Sequence, residues 1–120
     1  MQTRRIQRVN SLLREVIAEV IQRELKNPNL PSFVSISRVE VSRDLQHAKI
    51  FVSVIGEDAI KAKAVRILKS SAGFIASSAS KKVRLRYFPE LVFILDDTVD
   101  KQMKINDLIS SIEEERNGRE

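Results

Sequence analysis

The sequence predicts a single α+β domain with the element order α-β-β-α-kink-α-β-α, its three-stranded mixed sheet packed on helices. Three observations carry this. Apolar residues recur at helical spacing in the first 26 positions, two β-rich runs follow with a short connection, and about thirty residues of helical pattern precede a third run. A connection that long can cross over a sheet and return a strand parallel to its neighbour. At 120 residues, 42% of them hydrophobic and 31% charged, with only three Gly and three Pro, the chain has the make-up of one compact core.

From Thr3 to Lys26 the apolar stripe runs Ile6, Val9, Leu13, Val16 or Ile17, and Val20, widened by Leu12, Ile21 and Leu25. Such spacing predicts an amphipathic helix. Asn27 and Pro28 stop it, because Asn tolerates the left-handed cap and Pro cannot continue the hydrogen-bond ladder. The β-rich runs are Phe33 to Val41 and Ala48 to Ile55, joined by Ser42, Arg43, Asp44, Leu45, Gln46 and His47. In the second, Ala48, Ile50, Val52 and Val54 point inward and Lys49, Phe51 and Ser53 outward. In the first, the apolar parity slips between Ile36 and Val39, which predicts a bulge or a strand covered on both faces.

Gly56, Glu57 and Asp58 form a turn and a favourable helix start, with acids near the positive end of the helix dipole. A helical pattern then runs from about Ala59 to Lys69. The stretch Ser70 to Ser80, SSAGFIASSAS, holds only Phe74 and Ile75 as larger residues. Gly73 within it costs up to about 1 kcal/mol relative to Ala in a helix and predicts a kink or a close backbone approach. A second, shorter helix follows from about Phe74 to Arg84. Phe88 to Leu95 reads as the third strand, with Pro89 at its entry, where a missing N–H does least harm. Asp97 or Thr98 then caps a last helix to about Glu114. Residues 1–112 make up the folded domain and 113–120 a charged C-terminal tail.

The net charge of +5 conceals a sorting along the chain. Between Ile60 and Pro89 stand Lys61, Lys63, Arg66, Lys69, Lys81, Lys82, Arg84 and Arg86, with no Asp or Glu among them; from Asp96 onward acids outnumber bases. Bases without sequence-neighbour acids leave positive potential for a polyanion, against the plainer reading of a solvated lysine-rich face.

Several function classes are unsupported. Cysteine is absent and His47 is the sole histidine, so there is neither a cysteine nucleophile nor a cysteine–histidine metal cluster. Three scattered glycines supply no GxxxxGK[ST] or GxGxxG phosphate loop. Asp96, Asp97 and Asp100 can be imagined around Mg²⁺, but a capped and charged helix start explains them more simply. No enzyme activity and no cofactor are expected. Met1 to Arg8 carries three arginines and no apolar run, and no later segment approaches a membrane span, so a cytoplasmic address is expected.

A break of small residues between two helices lets a phosphate approach backbone N–H groups and a helix N-terminus. Ser70, Ser71 and Ser77 or Ser78 can add hydroxyls. Lys69 stands before the break, and Lys81, Lys82, Arg84 and Arg86 follow the second helix, the last three sharing one face if extended. At 5% aromatic content, a sheet that stacks several bases is not expected. The rival explanation of the small residues is helix-to-helix packing.

The element order is similar to a type II KH domain, whose two core helices meet at a GxxG loop. Here Gly73 has Ser70 and Ala76 three residues to either side. The departure resembles the ribosome-binding factor A family, in which an Ala-x-Gly kink replaces that loop; the matching triplet is Ser71, Ala72, Gly73, with serine in the alanine place. The same family is resembled by RRIQRV at Arg4 to Val9, by VEVSRDLQHAK at Val39 to Lys49, by Gly73, Phe74 and Ile75, and by LRYFPEL at Leu85 to Leu91. The resemblance reaches to about residue 112. It implies a KH-like, monomeric, cytoplasmic factor that binds free small (30S) ribosomal subunits and assists late maturation and processing of 16S rRNA. With it, the expected RNA-contacting set is Arg4, Arg5, Arg8, Arg43, Lys69, Ser71, Ala72, Gly73, Lys81, Lys82, Arg84 and Arg86. Neither a membrane nor a small-molecule substrate is expected as partner. A protein-interaction adaptor, docking through the acidic C-terminal helix with an incidental basic face, is the alternative; an rRNA-processing nuclease lacks a catalytic set.

Overall fold

The computed structural model describes residues 3–30 and 33–96. Its elements run α1 (Arg4–Arg23), β1 (Val34–Val41), β2 (His47–Val54), α2 (Asp58–Ser70), α3 (Ala72–Ser80) and β3 (Glu90–Leu95). This is the predicted order; the expected last helix, the tail at 113–120, Asp97 and Asp100 lie outside the described residues.

Thr3 starts α1 by accepting a hydrogen bond on its hydroxyl from the Ile6 N–H at 3.2 Å. The buried stripe is Ile6, Val9, Leu13, Val16, Ile17, Val20 and Ile21, as the spacing predicts. Regular helix ends at Arg23, three residues short of Lys26. The cause is local: the Glu24 and Leu25 N–H groups both converge on the Val20 carbonyl, and the Asn27 side chain accepts from the Asn29 N–H at 2.9 Å. An Asn side chain bonded two residues onward closes a turn instead of extending a helix.

The sheet order is β1-β2-β3, with β1 antiparallel and β3 parallel to β2. Ala48, Ile50, Val52 and Val54 of β2 are all buried, matching the predicted inward set. The predicted bulge falls between Ile36 and Arg38, so Ser37 is the extra residue that restores Val39 and Val41 to the inner face. Ser37 Oγ lies 2.7 Å from an Asp96 carboxylate oxygen, its proton acceptor, and 3.1 Å from the Phe51 carbonyl oxygen. Asp96 thus ties the end of the β3 segment back across the sheet to β1. The helices share the inner face: α1 packs on β1 and α3, α2 on β3 and β2, and α3 on β3. Leu13, Ile17, Ile50, Leu68, Ile75 and Phe93 are its largest enclosed side chains, with Val20 and Val52 beside them.

Two turns set the ends of the sheet. Between β1 and β2, Asp44 accepts from the Ser42 hydroxyl at 2.6 Å and from the Gln46 N–H at 3.1 Å. Those bonds hold its carboxyl below the usual range. They also hold Leu45 at φ 61°, a left-handed conformation that a leucine adopts only under tertiary constraint, here its half-buried side chain packed on the core. After β2, Gly56 sits at φ 146°, where an added Cβ would come within 3.0 Å of Ile60. Only glycine fits that turn comfortably.

The connection from α3 to β3 leaves the helix at Ser80, four residues before the expected Arg84. Val83, Leu85 and Phe88 pack on the core and leave Arg84 and Arg86 exposed. Lys82 fastens this connection to α1, with Nζ 3.1 Å from Glu24 and 3.6 Å from Glu19. The hydrogen bond and charge of Lys82 draw the Glu24 carboxyl below its ordinary 4.5, and Glu24 chiefly raises Lys82 above 10.5. All three side chains are partly open to solvent, so the contribution to stability is small.

Two outcomes test this packing. Leu13→Ala removes a fully enclosed side chain at the α1–sheet contact and is expected to lower unfolding stability by about 3 kcal/mol in denaturant titration. For the Lys82 pair, a lowered carboxyl contributes above its ordinary 4.5 and loses the contribution as pH falls through its folded value. A raised amine contributes below 10.5 and loses it as pH rises through its folded value. The stability gap between wild type and Lys82→Met is therefore expected to be widest between those two pH values and to close on either side, read as denaturation midpoints across pH.

Candidate nucleic-acid interface

The break between the helices falls at Ser71 rather than at Gly73. Ser71 has φ −96° and ψ 2° and serves at once as C-cap of α2 and N-cap of α3. Its N–H donates to the Ile67 and Leu68 carbonyls at 3.0 and 3.2 Å, while its own carbonyl accepts from the Ile75 N–H at 2.9 Å. One residue closes the first helix and opens the second. Propensity marked Gly73 as the weak point, but α3 already includes it in its first turn. The Ser70 hydroxyl, expected as a free donor, is engaged by the Ile67 carbonyl at 2.9 Å. No side-chain hydrogen bond caps the start of α3.

Gly73 is exposed, its φ is ordinary, and a Cβ built there meets nothing within 4 Å. Neither backbone conformation nor internal packing accounts for a glycine inside this helix. The rival explanation, close helix packing through the small residues, fails at this position, while Ile75 and Ala79 of the same helix are buried in the core.

Of the predicted cations, Lys69, Lys81, Arg84 and Arg86 are exposed and have no carboxylate partner among the described residues. Lys82 is different. The acid-free block is acid-free only along the chain, because Glu19 and Glu24 of α1 neutralise Lys82 in space. Its charge is not available in the way that the sequence reading assumed.

Arg4, Arg5, Arg8 and Arg43 form a second group around the start of α1. Arg5 and Arg43 line one cleft with Thr3, Ile6 and Leu45, and Arg4 and Arg8 line another with Gln7 and Ser11. Asp44, the nearest acid in sequence to Arg43, is taken up by Ser42 and Gln46 within its own turn. Two aromatic side chains add to what sequence reasoning found. Phe74, in the first turn of α3, is 50% exposed, and Tyr87 is 76% exposed with the Arg86 guanidinium 5.5 Å from its ring centroid. A helical pattern says which residue types fit a core but not how wide the covered face is, and Tyr87 lies in the irregular connection after α3, so neither exposure had a signal in the sequence. Phe51, expected outward, is half-buried beneath Arg38, whose guanidinium lies 4.0 Å from its ring centroid.

His47 pairs with Glu90 at 3.4 Å where β2 and β3 begin, a strand-end contact. No group of three or more metal-binding side chains occurs among the described residues, and none of their helices is long and apolar enough to cross a membrane.

Comparison with known proteins agrees with this architecture. The family model for ribosome-binding factor A matches residues 5–109. The chain is 51% identical over 120 residues to ribosome-binding factor A of Protochlamydia amoebophila, covering 100% of this chain and 92% of that protein. It is 40% identical over 112 residues to that of Clostridium novyi, covering 93% of each. Among solved structures, the crystal structure of ribosome-binding factor A from Thermus thermophilus superposes with a TM-score of 0.66 at 24% identity, over 75% of this chain and 94% of that one. A homology model of the Thermus protein, fitted into an electron-microscopy map of a 30S–RbfA complex, gives a TM-score of 0.61 at 23% identity, over 73% and 91%. With a family match over residues 5–109 and relatives alike across nearly their whole length, the chain belongs to the ribosome-binding factor A family.

Proposed function

We propose that this protein associates with free small ribosomal subunits by holding 16S rRNA at the α2–α3 break, and that it assists late maturation and processing of that RNA. The observation that carries the reading is the open space at Gly73. A glycine in a helix costs up to about 1 kcal/mol against alanine, and nothing inside the protein requires this one. A bare backbone beside an uncapped helix start is suited to an approaching phosphate, which no Cβ then obstructs. Lys69 stands next to the break, and Lys81, Arg84 and Arg86 follow α3, all without carboxylate partners among the described residues. Ser71 and Ala72 shape the break, and Arg4, Arg5, Arg8 and Arg43 extend the basic surface to the other end of α1.

The comparisons support the partner: the relatives are named as ribosome-binding factors, and one fold neighbour was placed in a 30S complex. The factor acts in the cytoplasm as a monomer, without a cofactor or a reaction of its own. Domain limits at 112 and the tail at 113–120 belong to the same proposal. Lys82, expected among the RNA contacts, is assigned instead to holding the connection against α1.

The test follows from charge. Replacing Lys69, Lys81, Arg84 and Arg86 by alanine is expected to leave a folded protein and to reduce the slope of log affinity for small subunits against log salt by about 3, at roughly 0.7 per lost single-strand phosphate contact. An unchanged slope in co-sedimentation across a salt series contradicts the reading. Gly73→Ala is expected to raise unfolding stability by up to about 1 kcal/mol while weakening subunit association, a separation of the two properties that a purely structural glycine does not show.

A further inference from the structure

Between the last turn of α1 and the exposed side of α3 lies a cleft of about 470 Å³ that shares only Lys81 with the contacts proposed above. Phe74 forms its apolar wall, half exposed, while Arg23, Lys26 and Lys81 stand around it. One acid also lines it, Glu24, and that carboxylate is turned to Lys82 at 3.1 Å. Lys82 thus offsets part of the Glu24 charge while also meeting Glu19, and Lys81 attracts Glu24 at longer range. Arg23, Lys26 and Lys81, none of them in an ion pair among the described residues, leave the cleft net positive around one bare aromatic ring.

A single exposed aromatic residue is unremarkable on a protein surface. A ring beside several cations that outnumber the one lining acid is a different arrangement, because it offers a π-face and phosphate partners within one cleft. Unpaired nucleotides are bound in this way: the base stacks on the aromatic face and the flanking phosphates meet Lys and Arg. A base paired in a duplex is already stacked on both faces and cannot reach the ring. An apolar protein segment fits less well, since it would strip water from three cations and offer nothing to replace it.

We propose that the cleft between α1 and α3 takes one unpaired nucleotide of the bound RNA, its base on the Phe74 ring and its phosphates at Arg23, Lys26 and Lys81. This rests on the RNA-binding reading above and narrows it: the RNA is single-stranded at this contact. The site uses the side of α3 that faces the end of α1, and Arg23, Lys26 and Phe74 are additional to the residues of the break.

The chain contains no tryptophan, so Phe74→Trp places a unique fluorophore in the cleft at an exposed position where the fold has little to lose. The probe is an unstructured oligoribonucleotide of about ten nucleotides, used alone, annealed to its complement, and beside an oligoglutamate of equal charge. The expected result is quenching of the indole by the single strand and not by the duplex or the peptide. Phe74→Leu is expected to weaken binding of the single strand to the otherwise wild-type protein about tenfold, and Phe74→Tyr to retain it. If labelled single strand binds by anisotropy while the indole is silent and Phe74→Leu binds normally, the proposal is overturned and the RNA-binding reading stands. Equal quenching by duplex or by oligoglutamate overturns it too. If the wild-type protein binds neither the single strand nor small subunits, both readings fall together.

Discussion

The contact on which the rest depends is the apolar stripe of α1 laid along the inner face of the sheet. Leu13, Ile17 and Val20 are wholly enclosed there, in the same core cluster as Ile50 and Val52 of the central strand. Burial at roughly 25 cal/mol per Å² makes such a stripe the main favourable term for a domain with no disulfide and no metal-binding cluster among its described residues. Because the core takes alternate residues of each strand and one face of each helix, the polar positions left over are fixed in direction. Arg84 and Arg86 point outward because Val83 and Leu85, which alternate with them, pack inward. The proposed interface is in this sense a by-product of the packing.

Charge is managed at a second level. The eight bases between Ile60 and Pro89 look uniform along the chain, but the fold separates them by partner. Lys82 is drawn to Glu19 and Glu24, and so fixes the α3–β3 connection to the helix that anchors the core. The same contact offsets part of the negative potential of those glutamates, one ammonium facing two carboxylates, and the more numerous neighbouring cations Arg23, Lys26 and Lys81 keep the surface positive. Asp44 is held differently in the β1–β2 turn, where neutral donors keep its carboxylate ionised but directed into its own turn rather than into an ion pair with Arg43.

Much of this architecture could be read from residues that report on local geometry. The α1 stripe, the inward set of β2 and the parity slip around Ser37 are periodic signals, and the fold places each where the period put it. Parallel pairing of β3 was allowed, though not required, by the length of the preceding connection. The failures are of two kinds. Propensity named Gly73 as the break, whereas the chain turns at Ser71, since a glycine weakens a helix without forcing it to end and a serine near ψ 0° can serve both helices. Other features are non-local: the pairing of Lys82 with acids some sixty residues earlier, the left-handed Leu45, and the exposure of Phe74 exist only once α1, α3 and the hairpin are assembled. The candidate site was legible as a composition of small residues and bases, but not as a surface.

The proposed function requires that unpartnered cations around a bare helix break meet ribosomal RNA. It is tested most directly by cross-linking the intact protein to free small subunits and identifying the joined peptides and nucleotides. Cross-links to 16S rRNA are expected from the segment around Lys69 to Phe74 and from Lys81 to Arg86. Cross-links confined to ribosomal proteins, or arising from the outer face of the sheet around Lys49 and Val92, would contradict it.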